Sequence, residues 1–206
     1  MLSTMDVQTR PRRRMTAEDR REQILDITHA IVDAEGFHAA TLNRIATEAG
    51  VSRTVVYQQF GDLPGLFIAL VDREAARAGA QFAEAINTSQ GPSEEDGAFG
   101  HAFAGVLRAA DANPATWRLF LFPPQGAPPE LHERLAQAQV LVRQYFTSVL
   151  LRINPDIPDP EYTARILNAA GDELLRLRLS DPESATHERL LAHARRLTPG
   201  LLRQTT

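Results

Sequence analysis

The sequence predicts an all-α protein of about nine helices. Apolar residues recur every three or four positions along most of the chain, which is the periodicity of helices that bury one face. Prolines, glycines and short polar runs separate these periodic segments, as expected between helices. We find neither the alternating pattern of a strand nor an internal repeat in the 206 residues, which are enough to bury a substantial core.

Composition narrows the classes of protein that the chain can belong to. It contains no cysteine, which excludes disulfides and thiolate metal sites. No apolar run approaches the ~18 residues that a membrane span needs, and the N-terminus lacks the apolar segment of a signal peptide. We therefore expect a cytoplasmic protein.

Positive charge is concentrated near the N-terminus, although the net charge of the chain is −4. Residues 10–21 hold six Arg against Glu18 and Asp19, a local charge of +4. Residues 1–15 contain little that is apolar, so we expect a disordered Arg-rich arm. Such an arm can follow a nucleic-acid backbone or enter the minor groove, or it can be a solvated tail.

The first helix is expected to begin at Thr16, where Thr16 and Asp19 have the spacing of a capping box. Gly36 is the expected residue at its C-terminal end, and Phe37 follows as an anchor to the core. Its buried face is predicted to consist of Ile24, Ile27, Ile31 and Ala34.

Residues 41–60 have the pattern of a helix-turn-helix. Ala46 is small where a second helix must approach closely, and Gly50 occupies a turn position that favours a positive φ. Ser52 is predicted to cap the second helix with its hydroxyl group. The apolar contacts between the two helices are assigned to Ile45, Ala49, Val51, Val56 and Phe60.

The outward side of that second helix favours DNA recognition. It has no acidic residue between Val51 and Gly61, and an α-helix fits the major groove of DNA. An ordinary helical hairpin whose glycine only ends a helix is the alternative. The side chains placed on or near the outward side are Arg53, Thr54, Val55, Tyr57, Gln58 and Gln59.

The segment FHAATLNRIATEAGVSRTVVYQQFGDLPGLF, with the helix before it, resembles the N-terminal domain of the tetracycline-repressor (TetR) family of bacterial transcription regulators. Residues 16–86 carry the resemblance closely, and the rest of the chain matches in its helical character. The resemblance implies a homodimer that places one helix-turn-helix of each subunit in the major groove. It also implies that the C-terminal domain holds a small-molecule pocket and the dimer interface.

The resemblance also implies particular DNA contacts. Thr41 and Tyr57 are similar to phosphate contacts of the family, and Asn43 and Arg44 can also reach DNA. Val55 stands where family members often have Thr, so a contact to a thymine methyl group can replace a hydroxyl contact. Family members often have Lys where this chain has Leu63, and that phosphate contact is not expected here. The full predicted DNA-binding set is Thr41, Asn43, Arg44, Ser52, Arg53, Thr54, Val55, Tyr57, Gln58 and Gln59.

These features divide the chain into the arm (1–15), a DNA-binding domain (16–62) and a helical ligand-binding and dimerisation domain (63–206).

Asp62 is predicted to cap a long fourth helix with Pro64 in its first turn. The buried stripe of that helix is expected to be Phe67, Val71, Ala75, Ala78, Phe82 and Ile86. A polar break at 87–95 is followed by five more helical segments, the last predicted to end at Pro199 and Gly200.

The last two helices, roughly 160–180 and 184–198, resemble the pair that forms the dimer interface in the family. Three small residues, Ala169, Ala170 and Gly171, would permit close approach of helices there. We favour dimerisation because one helix-turn-helix makes too few contacts for tight specific binding. The alternative is that these small residues pack inside one subunit.

A mostly apolar ligand pocket is expected between helices of the C-terminal domain. His101 and Arg118 are the polar residues best placed to orient an anionic or polar ligand, although each can also be a solvated or core residue. The predicted pocket residues are Phe99, Phe103, Trp117, Phe120 and Tyr145.

Enzyme, metal and cofactor sites are not expected. The chain has no zinc-binding His-Glu-x-x-His, no glycine-rich phosphate loop and no nucleophile elbow. The acidic pair Asp172 and Glu173 is interpreted as part of a solvated face. The predicted function is a ligand-responsive transcriptional regulator, a repressor that binds a palindromic operator as a homodimer. A helical adaptor that binds other proteins is the alternative.

Overall fold

The computed structural model describes residues 15–88 and 97–202. Within these ranges the chain forms nine α-helices and one 3-10 helix, and no strand. The helices are α1 (Ala17–Glu35), α2 (Leu42–Glu48), α3 (Arg53–Phe60), α4 (Leu63–Thr88), α5 (Gly97–Ala112), α6 (Pro114–Leu121), α7 (Pro129–Ile153), α8 (Pro160–Ser180) and α9 (His187–Leu202), with the 3-10 helix at Phe37–Ala39. The predicted all-α fold is confirmed.

Local sequence signals fix the ends of the first helices. The Thr16 hydroxyl accepts a hydrogen bond from the Asp19 amide at 3.0 Å, and the Thr16 amide donates to Asp19 Oδ2 at 3.3 Å, which is the predicted capping box. Gly36 ends α1 with φ +88°. Thr41 caps α2 by accepting from the Arg44 amide at 3.3 Å.

Two predictions about these helices are wrong in detail. Ser52 occupies the N-cap position of α3, but its side chain makes no capping hydrogen bond. Ala34 is exposed rather than buried. The buried face of α1 instead includes Leu25, Thr28 and Val32, because α1 is covered from more than one direction.

The first hydrophobic core joins α1, α2 and α3 to the helices that follow. Ile24, Ile45 and Val56 are fully buried in it. The same cluster contains Leu66 and Leu70 of α4, together with Leu119 of α6 and Leu131 of α7. Apolar packing is therefore continuous across the predicted boundary after residue 62, and that boundary stays a prediction.

The long fourth helix packs closely against α5. Asp62 Oδ1 accepts from the Gly65 amide at 2.7 Å, so the predicted cap of this helix is present. A Cβ atom built on Gly105 of α5 would lie 2.7 Å from Cβ of Ala85 on α4. Only a glycine at this position permits the two backbones to approach so closely.

The C-terminal helices are joined by an ionic contact as well as by apolar packing. Arg178 of α8 donates twice to the Asp111 carboxylate of α5, with both distances 2.8 Å. His187 of α9 lies 2.7 Å from the same carboxylate. The hydrogen bond from Arg178 is the main cause that lowers the pKa of Asp111.

Some predicted features differ or lie elsewhere in the chain. Helix α9 continues to Leu202, past the Pro199–Gly200 end that was predicted. The predicted Arg-rich arm lies outside the described residues except for Met15, and so does most of the polar break, from residue 89 onward.

Among the residues that the structure describes, no helix combines the length and the apolar character that crossing a bilayer requires.

Candidate functional site

A glycine turn fixes the angle between α2 and α3. Gly50 has φ +63°, in the left-handed region that a side chain would strain. The Val51 amide donates to the Ala46 carbonyl at 2.9 Å, and the Gly50 amide donates to the Thr47 carbonyl at 3.1 Å. Ala46 and Ala49 are buried beneath the turn. The predicted helix-turn-helix geometry is therefore present.

Helix α3 presents one polar face to solvent. Arg53 and Tyr57 lie one turn apart on this face, and Tyr57 is 49 % exposed. Thr54 and Gln58 form a second exposed pair one turn apart, and Ser52 is exposed before them. Residues in such a position can contact phosphates and base edges when the helix enters a groove.

The remaining two predicted residues of α3 are less accessible. Val55 is half-buried and packs against the first hydrophobic core. Gln59 is also half-buried. Val56 is fully buried and orients the exposed face away from the core.

Arg21 of α1 fixes the C-terminal end of α3. Its Nη1 donates to the Gln59 carbonyl at 2.7 Å. Its guanidinium carbon lies 4.3 Å from the centroid of the Phe60 ring, within the range of a cation–π contact. From the sequence, Arg21 was expected only to add local positive charge, and no spacing in the sequence pairs it with α3.

The predicted contacts on α2 differ in how freely they can reach DNA. Thr41 and Asn43 are exposed. Arg44 Nη2 lies 2.6 Å from Glu35 Oε1, and Arg44 Nε lies 2.8 Å from Glu48 Oε1. The hydrogen bond from Arg44 lowers the pKa of Glu35. Arg44 must therefore leave or share these carboxylates to contact a phosphate.

Arg53 differs from Arg44 in this respect. Among the described residues it makes no hydrogen bond and no ion pair, and it is exposed at the first position of α3. Arg53 can therefore contact a phosphate or a guanine without first breaking a hydrogen bond or an ion pair within the protein.

A cavity of about 120 Å³ lies between the helices of the C-terminal region. Three residues predicted to bind a ligand, Phe99 and Phe103 of α5 and Trp117 of α6, line it together with Phe82 of α4 and Phe146 of α7. The structure places two predicted pocket residues elsewhere. Phe120 packs against the first hydrophobic core. Tyr145 is not among the residues that line the cavity, and its ring centroid lies 5.8 Å from that of Phe82 and 5.7 Å from that of Phe146.

The two polar residues proposed to orient a ligand also lie outside this cavity. Arg118 donates to both oxygens of Asp33 on α1, at 2.8 and 2.6 Å, which raises the pKa of the Arg118 guanidinium. His101 does not line the cavity.

The polar residues that do line the cavity come from α8. The pair Asp172 and Glu173 was interpreted as solvated; Glu173 is exposed, but Asp172 is half-buried and lines the cavity. Burial raises the pKa of Asp172. Asn168, 9 % exposed and one turn earlier, donates from Nδ2 to Asp172 Oδ2 at 3.4 Å. Ala170 and Gly171 line the same cavity, so these two small residues pack inside the subunit.

Three successive residues of α6 connect the cavity to the helices that support α3. The Thr116 hydroxyl donates to Glu74 Oε2 of α4 at 2.6 Å. Trp117, in the cavity wall, donates from its indole nitrogen to Gln81 Oε1 of α4 at 2.8 Å. Arg118 completes the set through its bond to α1.

Comparison with known proteins agrees with this geometry. Residues 24–70 match a family model described as bacterial regulatory proteins, tetR family. Over 76 residues the chain is 32% identical to the HTH-type transcriptional activator FasR of Mycolicibacterium smegmatis. This alignment covers 37% of this chain and 35% of that protein. Over 61 residues the chain is 33% identical to an HTH-type transcriptional regulator of Staphylococcus aureus strain USA300. This alignment covers 30% of this chain and 33% of that protein. The alignments thus span about a third of the length of these relatives.

Solved structures resemble the whole architecture. A TetR-like transcriptional regulator from Rhodococcus sp. RHA1 superposes with a TM-score of 0.68 at 22% identity, and covers 93% of this chain and 100% of that one. The fatty acid degradation regulator FadR from Bacillus halodurans superposes with a TM-score of 0.70 at 15% identity, and covers 90% of this chain and 97% of that one. At these identities the likeness concerns the fold.

Proposed function

We propose that this chain is a DNA-binding transcriptional regulator of the tetR family of bacterial regulatory proteins, whose family model matches residues 24–70. It binds a near-palindromic operator as a homodimer and represses transcription there. A small, mostly apolar molecule enters the helical domain and releases the DNA. The observation that carries the DNA-binding part is the exposed, acid-free face of α3.

The proposed DNA contacts follow from exposure and freedom of the side chains. Arg53, Thr54, Tyr57 and Gln58 enter the major groove or contact its phosphates, because all four are exposed on one side of α3. Thr41, Asn43 and Ser52 add contacts beside the groove. Arg44 contributes after exchanging its carboxylate partners for a phosphate, and Val55 and Gln59 contribute at the edge of the face.

The experiment that tests DNA binding uses an operator selected from a random duplex library with the full chain. Fluorescence anisotropy then measures the Kd of the selected duplex. We expect Arg53→Ala and Tyr57→Ala each to weaken binding by ~1–3 kcal/mol, as for single DNA contacts. Affinity should also fall steeply with salt, because phosphate contacts release counterions.

The control is Arg108→Ala, which removes an exposed arginine from α5, away from α3. Circular dichroism and thermal melting confirm that each variant is folded. Unchanged Kd in both Arg53→Ala and Tyr57→Ala, with folded proteins, would contradict the assignment of α3 as the recognition helix.

Homodimerisation is supported by an exposed apolar stripe on α8. Tyr162, Ile166 and Leu177 are 66 %, 48 % and 46 % exposed, and their spacing places them on one side of the helix. Ala169 is exposed between them. A two-fold interface uses the same surface of both subunits, so this stripe can pack against the same stripe of a second subunit.

We propose that ligand binding is transmitted through α6. A molecule that displaces Trp117 also disturbs its bond to Gln81 and the neighbouring bonds of Thr116 and Arg118. These bonds end on α4 and α1, which pack against α3. A ligand that favours one arrangement of these helices then changes DNA affinity by its difference in affinity between the two states.

Release and repression have separate tests. Compounds that change the fluorescence of Trp117 are added to the complex with the selected operator. Release supports the proposal, and binding without any release contradicts it. For repression, expression of a reporter placed behind the operator should increase when the gene for this chain is deleted. A decrease would instead indicate activation, the role that the name of the Mycolicibacterium activator FasR gives that protein.

A further inference from the structure

The wall of the cavity is suited to an organic cation as well as to an apolar group. Five aromatic rings line it: Phe82, Phe99, Phe103, Trp117 and Phe146. The face of an aromatic ring attracts a cation that lies within ~6 Å, most strongly when water is excluded. The rings therefore stabilise an ammonium group and a hydrocarbon group alike.

Asp172 is the one charged side chain among the described residues that line the cavity. Asn168 donates to one of its oxygens at 3.4 Å, a long hydrogen bond. The nearby Arg176 directs its guanidinium elsewhere, to the Leu121 carbonyl at 3.0 Å and to Glu173 at 3.4 Å. The carboxylate consequently retains acceptor capacity that a ligand can use.

Asp172 is half-buried and forms no ion pair among the described residues, although the charge of Arg176 partly offsets its desolvation, so the carboxylate is receptive to a cation. Desolvation by its surroundings raises the pKa of Asp172. A positively charged group placed beside it would restore the interaction that the carboxylate loses on leaving water. A carboxylate ligand would instead add a second negative charge at the same place.

The volume limits the size of the ligand. The cavity measures about 120 Å³, close to the ~150 Å³ of an engineered protein cavity that binds benzene. One six-membered ring or a short alkyl chain fills such a space.

We propose that the cavity binds a small primary amine with one aromatic ring or a short alkyl chain, whose ammonium group donates to Asp172 while its apolar part packs among the aromatic side chains. This inference rests on the proposed function, because it names the chemical class of the effector. A fatty acid is then excluded as the effector of this chain, because Asp172 would repel its carboxylate.

The test uses the fluorescence of Trp117, the single tryptophan of the chain, which lies in the cavity wall. The full chain is titrated with 2-phenylethylamine, 2-phenylethanol and 3-phenylpropionate, which share a ring and differ in charge. We expect the amine to bind ~10-fold or more tightly than the alcohol, and the carboxylate to bind least, since close charge pairs in buried sites contribute strongly.

Two variants assign the preference to one side chain. Asp172→Asn should bind the alcohol as the original chain does, which shows that the cavity is intact, and should lose the preference for the amine. The matched control Asp156→Asn changes an exposed residue between α7 and α8 and should leave all three affinities unchanged.

Several results would overturn the inference. These are equal or tighter binding of the carboxylate, an amine preference that survives in Asp172→Asn, and no response of Trp117 to any of the three compounds. None of them affects the Kd for the selected operator, which is measured without ligand. Failure of the ligand assignment is therefore distinguishable from failure of the DNA-binding proposal.

Discussion

Glu74 of α4 is a fully buried carboxylate that joins three helices. Its Oε1 lies 2.8 Å from Arg73 Nη2 and 3.1 Å from Arg77 Nη1, and 3.5 Å from Nδ1 of His29 on α1. Its Oε2 accepts from Thr116 of α6. Removing it would leave Arg73, whose side chain is 11% exposed, without its nearest buried partner.

We predict that Glu74→Ala lowers the free energy of unfolding by ~3–5 kcal/mol, the usual cost of removing one partner of a buried ion pair. Urea denaturation followed by circular dichroism measures the change. The control Glu183→Ala removes an exposed carboxylate between α8 and α9 and should change stability by less than ~0.5 kcal/mol. A loss below ~1 kcal/mol in Glu74→Ala would mean that the cluster adds little net stability.

Single residues also mark the limit of prediction from the sequence. Glu74 and Asp172 are acidic residues on helices, and a charged residue is rarely buried, so neither was assigned to the interior. Glu74 is fully buried and Asp172 is half-buried, and in both cases this depends on which helices cover the side chain. By contrast, Gly50 and Thr16 were predicted correctly because a turn and a cap depend on neighbouring residues alone.

At the scale of elements, the approach of α4 to α5 depends on Gly105. We predict that Gly105→Ala lowers the free energy of unfolding by ~1–3 kcal/mol, because the added methyl group overlaps Ala85 and must push two helices apart. Thermal melting and urea denaturation measure the change.

Gly79 provides the matched control for this substitution. It lies on α4, is exposed, and a Cβ atom there would meet nothing within 4 Å. Gly79→Ala should therefore stabilise the protein by ~0.5–1 kcal/mol, the difference in helix propensity. The same sign of change in both variants would contradict the proposed steric role of Gly105.

The helices themselves were largely predictable, whereas the faces that they bury were less so. Prolines at 114 and 129 and the cap at Asp62 set the starts of α6, α7 and α4 through local backbone chemistry. Phe120 and Trp117 have the same apolar pattern, yet they face different cores. Periodicity shows that a helix has an apolar face, but the partner of that face is decided by tertiary packing.

For the whole molecule, the proposed dimer depends on the apolar stripe of α8. We predict that Ile166→Glu weakens self-association by ~100-fold or more, because two-fold symmetry introduces the carboxylate twice into one interface. Sedimentation velocity should show a shift from dimer to monomer, with a parallel loss of affinity for the selected operator.

The control for charge alone is Ala80→Glu on an exposed position of α4. It should leave both the sedimentation coefficient and the operator affinity unchanged. An unaltered dimer in Ile166→Glu would place the interface on another surface, and a monomeric original chain would contradict the homodimer itself.

The position of the Gly105–Ala85 contact has a geometric consequence for the DNA-binding helices. It lies near the C-terminal end of α4, and the opposite end of this helix begins directly after α3. Leu63 lies 22 positions before Ala85, a separation of ~33 Å along the helix at ~1.5 Å per residue. A rigid tilt of about 3° about this contact would then carry the far end through an arc of ~2 Å, so a rotation too small to disturb local packing is magnified by distance alone.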